Sequence, residues 1–205
     1  LIEYEHHSTP SIGITLFVDL DDTVEELLKR ADLAMYQAKA AGRNTMRFFD
    51  PDMQATVNAR AGMEADLREA VRTNQFLLHY QVQVNSAGHP IGAEALIRWQ
   101  HPSRGIVSPA TFIALAEDSG LILPLGQWVL ETACAQLQTW AQNPQTAHLT
   151  LAVNVSQRQF RHPYFVANVL AALANTGTDQ HLLKLALTAR LLPADVTATI
   201  ATLTE

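Results

Sequence analysis

Two strand-like runs constrain the fold more than any other feature, because each sorts its side chains into one greasy face and one small or polar face. In Leu149-Thr150-Leu151-Ala152-Val153-Asn154-Val155-Ser156 the leucines and valines share one face, while Thr150, Ala152, Asn154 and Ser156 share the other. Leu183-Lys184-Leu185-Ala186-Leu187-Thr188 repeats the scheme, with three leucines opposite Lys184, Ala186 and Thr188. Strands of this kind need helices on the apolar side, as in a barrel with helices outside and a ligand site within.

The punctuation around them agrees. Residues 76–84 and 91–99 read as strands joined by the turn Asn85-Ser86-Ala87-Gly88. Ser108 before Pro109 starts a helix that stops at Ser119-Gly120, and longer helical patterns cover about 124–141 and 163–175. A strand over 182–188 precedes a helical stretch from Asp195 to Glu205. Strands alternating with helices predict an α/β fold with a mostly parallel sheet or barrel, of which about four strands are present.

The N-terminal part is a separate piece. Residues 11–18 predict a buried strand, Thr23 with Glu26 a capping box, and Leu27, Leu28, Ala31, Met35 and Ala38 a helix stopping at Gly42. Residues 45–49 predict a second short strand. One β-α-β unit cannot bury a core alone, so residues 1–50 read as the end of a larger α/β domain. A helical pattern over about 54–73 follows, giving a linker over 51–62 and a second domain over 63–205. The opening Leu1-Ile2-Glu3 lacks an initiator methionine and reads as part of something longer.

Within 92–102 a carboxylate and a guanidinium stand in an otherwise apolar strand. Glu94, Leu96 and Arg98 share one face, and Ala93, Ala95, Ile97 and Trp99 the other. Glu94 and Arg98 are about 13 Å apart along a strand, too far for an ion pair and suited to two ends of one anionic ligand. A metal at the acid and a phosphate at the arginine would satisfy both. The structural alternatives are a carboxylate bonded to neighbouring backbone amides, and an arginine set against Glu117 or Asp118. Gln81, Glu94, Arg98, Asn154 and Thr188 are expected near the strand ends, where barrel sites are built, and Lys184 near its strand's start, outside the site.

Composition narrows the partners. Fourteen basic against twenty acidic residues give a net charge of −6, which argues against a nucleic-acid polymer or an anionic membrane surface and leaves a small charged nucleotide open. The single cysteine, Cys134, reads as a small buried hydrophobe and fits a cytoplasmic setting. No apolar run reaches the length of a membrane span. The eight histidines show no metal spacing.

Tyr80-Gln81, Glu94-Ala95-Leu96-Ile97-Arg98-Trp99, His101-Pro102, Phe112-Ile113, Ala116-Glu117, Ser119-Gly120-Leu121-Ile122 and Val153-Asn154-Val155-Ser156 resemble, in order, the first half of the EAL family of bacterial cyclic di-GMP phosphodiesterases. Ser11-Ile12-Gly13-Ile14, Arg30-Ala31-Asp32, Met35-Tyr36, Ala38-Lys39 and Gly42-Arg43-Asn44 resemble the C-terminal end of a GGDEF diguanylate cyclase domain.

The first resemblance implies part of a TIM-like (β/α) barrel, preceded here by the C-terminal part of a GGDEF-type α/β domain. It implies hydrolysis of cyclic di-GMP to linear pGpG with two divalent metals, Mg²⁺ or Mn²⁺. Glu94 matches a catalytic metal-binding carboxylate, Asn154 a metal-binding amide, Arg98 a phosphate-holding residue, and Gln81 and Leu96 positions that contact the dinucleotide. Lys39 and Arg43 match nucleotide-phosphate positions of the GGDEF family, or serve as solvated basic residues at a helix end. The family often dimerises through its barrel.

Departures from the pattern matter equally. Ala186-Leu187-Thr188-Ala189 stands where the family has Glu-Leu-Thr-Glu, so methyl groups replace two carboxylates, the first of them a metal ligand. Val82 stands where the family usually has proline. The family's Asp-Asp-Phe-Gly segment, catalytic lysine and last metal-binding glutamate are not in this sequence. A degenerate module that binds cyclic di-GMP or a protein partner without hydrolysis is therefore the alternative.

Overall fold

Why the chain divides in two is visible in its strands, which form two unconnected sheets. The computed structural model describes residues 9–17 and 22–187. It separates into the units Leu1–Met63 and Glu64–Glu205, the division falling within a helix, Pro51–Arg72.

In the first unit, strand β1 (Ile12–Ile14) pairs in parallel with β2 (Met46–Phe48), and helix α1 (Val24–Ala40) connects them. The Thr23–Glu26 capping box forms as the sequence predicts, each side chain bonded to the other residue's backbone N–H. Gly13 is required by packing: a Cβ there would lie 2.9 Å from Met35 Cα. The expected buried strand over 11–18 is only three residues long, and Ile12, Met46 and Phe48 are exposed. Only Ala34 and Ala38 of α1 are buried, so one helix against two short strands covers little apolar surface.

The second unit follows from the two-faced strands. After α2 (Pro51–Arg72) come β3 (Phe76–Val84), β4 (Pro90–His101), β5 (Gly105–Val107), α3 (Pro109–Ser119), α4 (Ile122–Ala141), β6 (Thr150–Val155), α5 (Gln157–Phe160), α6 (Phe165–Thr176) and β7 (Leu183–Leu187). The sheet order is β3-β4-β6-β7, with β5 on β4. β3–β4 and β4–β5 are antiparallel; β4–β6 and β6–β7 are parallel. Helices occupy the apolar side, where Ala93, Ala95, Leu151 and Val153 meet Leu130, Ala133, Cys134 and Leu137 of α4 and Ala172 of α6. The alanines of β4 let α4 approach closely.

Trp99 is fully buried among Phe76 and Phe112, and its Nε1 donates to Gln75 Oε1 at 3.1 Å. His101 is buried next to it, with Nε2 3.2 Å from Asp66 of α2 while Nδ1 accepts from the Ser103 backbone N–H at 3.1 Å. Cys134 is buried as expected, which pushes its thiol pKa up. No helix among the described residues is long and apolar enough to cross a membrane. The helical stretch expected from Asp195 lies outside the described residues.

Candidate functional site

The face of the sheet opposite the helices carries the polar residues in rows. Side chains of directly paired residues point the same way, so the strand registers place Gln81, Glu94, Ala152 and Lys184 in one row. In the next row β3 and β4 contribute His79 and Leu96, and β6 and β7 contribute Asn154 and Ala186. Beyond these, Leu77 pairs with Arg98.

Glu94 and Asn154 lie on adjacent parallel strands, and Asn154 Nδ2 donates to Glu94 Oε1 at 2.6 Å. Sixty residues separate them in sequence. Ala152, paired with Glu94, keeps the intervening position small. Close approach of the strands begins at Gly92, where a Cβ would lie 2.5 Å from the Thr150 carbonyl oxygen. The carboxylate alternative, a bond to neighbouring amides, is thus met by a side-chain amide instead. Arg98 Nη1 donates to the Ile97 carbonyl at 2.8 Å.

On the helix side, a cavity of about 230 Å³ is lined largely by apolar groups, among them Ala95, Ile97, Leu125 and Val129, with Glu117 and Gln159 among its polar residues. At the end of β6, Ser156 and Gln159 cap each other across the start of α5. Tyr80, on the helix side against Trp140, has its phenol raised by burial.

The donor set suits a hard cation on one side only. The Glu94 carboxylate and the Asn154 amide oxygen are both oxygen ligands, and rotating the amide turns Oδ1 toward the space now taken by Nδ2. The position beside Asn154 on β7 is Ala186, which offers none. Among the described residues no group of three or more His, Cys, Asp or Glu could hold a metal.

Gln81, Glu94, Leu96, Arg98 and Asn154 therefore share one face, while Thr188 and Ala189 lie outside the described residues. Lys184 lies near the start of β7 as expected, and the register sets it in the same row as Glu94, with Ala152 between them. His79, next to Leu96, carried no motif and was not expected on this face. Lys39 and Arg43 belong to the first unit and do not share one helix: Lys39 is in the last turn of α1, and Arg43 follows it in a loop with φ 63°.

Known proteins resemble this chain over most of its length. The chain is 41% identical over 182 residues to the bifunctional diguanylate cyclase/cyclic di-GMP phosphodiesterase MucR of Pseudomonas aeruginosa, covering 88% of this chain and 26% of MucR. It is 37% identical over 155 residues to the cyclic di-GMP phosphodiesterase PdeR of Escherichia coli, covering 76% of this chain and 23% of PdeR. It thus spans about a quarter of the length of these relatives. The solved structure of the PaMucR phosphodiesterase in complex with c-di-GMP superposes with a TM-score of 0.66 at 39% identity, covering 68% of this chain and 57% of that one. Its EAL fold is the TIM-like arrangement that the resemblance implies. The diguanylate cyclase GGDEF domain profile matches residues 3–45 and the EAL domain profile residues 64–205, so this chain belongs to the EAL domain family, preceded by the C-terminal part of a GGDEF domain.

Proposed function

We propose that the inner face of β4 and β6 is one wall of a cyclic di-GMP site, and that its reaction is hydrolysis of one phosphodiester bond to give linear pGpG. The observation that carries this reading is the meeting of Glu94 and Asn154 on adjacent strands, with Arg98 on the same face of β4. The names of MucR and PdeR and the ligand in the PaMucR structure support the choice of substrate. In this reading the Arg98 guanidinium takes two oxygens of one ligand phosphate, a match of planar fork to phosphate. Gln81 and Leu96 lie against the dinucleotide and fix its placement. Glu94 and Asn154 would hold a divalent ion, Mg²⁺ or Mn²⁺, which when bound activates water and offsets charge at phosphorus.

The organisation we propose is a GGDEF part over 1–50, a linker over 51–62 and the EAL part over 63–205. In the first, Lys39 and Arg43 contact nucleotide phosphate. We place the protein in the cytoplasm, as a homodimer through the barrel that light scattering would detect.

A second reading, binding of cyclic di-GMP without hydrolysis, is favoured by one observation: Asn154 is paired with the methyl group of Ala186. One experiment separates the two. The chain is incubated with cyclic di-GMP and Mn²⁺, product is followed by chromatography, and binding is measured by calorimetry. Linear pGpG supports hydrolysis, heat of binding without product supports the second reading, and neither signal overturns both.

A further inference from the structure

The row Gln81, Glu94, Ala152, Lys184 sets a lysine across one small residue from the carboxylate. Adjacent strands are about 4.8 Å apart, so Glu94 and Lys184 backbones are separated by about 10 Å on one face. The two side chains can span that gap over the Ala152 methyl. Lys184 is exposed, and none of the ion pairs formed by described residues uses its ammonium. One row on, Ala186 supplies no negative charge.

From this we infer that Lys184 adds a second positive charge to this site, beside that of Arg98, and opposes a divalent ion at Glu94 and Asn154. A cation held there gains from one carboxylate and is repelled by an ammonium on the same face, at a separation comparable with the screening length at physiological salt. Removal of a carboxylate at 186 and provision of a lysine at 184 act in one direction. Both lower the negative charge available to a metal and raise the attraction for a ligand phosphate.

The inference takes from the proposed function only that Glu94 and Asn154 face a metal position. It is tested with Mn²⁺ alone, so a failure to bind cyclic di-GMP is a separate result. Mn²⁺ binding to the 205-residue chain is measured by electron paramagnetic resonance and calorimetry for Ala186→Glu, Lys184→Met/Ala186→Glu and Lys184→Arg/Ala186→Glu. The expected result is about tenfold tighter Mn²⁺ binding by Lys184→Met/Ala186→Glu than by Ala186→Glu, from loss of one nearby positive charge. Lys184→Arg/Ala186→Glu, which keeps that charge, stays with Ala186→Glu. Lys184→Gln replaces Lys184→Met if circular dichroism shows misfolding. Equal affinities with and without the lysine charge, or no detectable binding by any variant, overturn the inference.

Discussion

Gly92 of β4 lies against Thr150 of β6 so closely that an added Cβ would sit 2.5 Å from the Thr150 carbonyl oxygen. Backbone cannot swing aside as a flexible side chain can. Gly92→Ala must therefore spread the two strands where their pairing begins, two residues before Glu94. The expected cost is about 1–3 kcal/mol, the range for forcing a methyl into packed structure. Urea unfolding checks it. Gly62, inside α2 with nothing within 4 Å of its added Cβ, has the opposite sign: Gly62→Ala should stabilise by about 0.5–1 kcal/mol through helix propensity.

Arg98 is one end of the proposed ligand site. Its Nη1 already donates to the Ile97 carbonyl, which tethers the guanidinium on the inner face. Lysine keeps the charge and loses the planar fork, so Arg98→Lys should weaken cyclic di-GMP binding about tenfold in calorimetry. Arg98→Ala should weaken it further. Wild-type affinity in Arg98→Lys would leave the arginine with no role at phosphate.

What could be read in the sequence depended on the length of the pattern. Glu94, Arg98 and Asn154 stood out because a polar residue inside an apolar strand is conspicuous, and period 2 assigned their face. β5 and α5 escaped because three or four residues show no period, although Ser156 and Gln159 at capping-box spacing marked the start of α5. The height of Lys184 beside Glu94 was not legible. It depends on the register between β6 and β7, which backbone pairing sets across the intervening helices. The exposure of Ile12 was misread because β-branched and aromatic content marks a strand without saying how much covers it.

Acid should loosen the start of α1. The Thr23 backbone N–H, and then its hydroxyl, donate to Glu26 and hold that carboxyl below its usual 4.5, against a small opposing effect of burial. A depressed folded-state pKa means the contribution is present above the unfolded value and is lost as pH falls through the folded one. Helix shifts of Val24 to Leu28 by nuclear magnetic resonance should therefore be steady at neutral pH and fray below about pH 4.5. In Thr23→Ala, which removes the hydroxyl cap, the same residues should be frayed at neutral pH, and the difference from wild type should shrink on acidification.

Gln159 and Gly126 test how the end of β6 is held. The Gln159 side chain is buried, and its Oε1 accepts from the Ser156 N–H at 3.2 Å while the Gln159 backbone N–H donates to Ser156 Oγ at 3.2 Å. A Cβ at Gly126 of α4 would overlap the Gln159 amide, with Oε1 only 2.8 Å away. In Gly126→Ala the amide must leave, breaking one half of the cap and leaving the Ser156 N–H without its acceptor. A loss of about 1–3 kcal/mol is expected, because overpacking and an unpaired buried donor fall in that range. Gln159→Ala removes the cap without overpacking and should cost a similar amount. Since Gly126→Ala acts through Gln159, the two effects cannot add: the double variant should be more stable than their sum by about 0.5–3 kcal/mol in urea unfolding. Strict additivity would place the cost of Gly126→Ala elsewhere in α4.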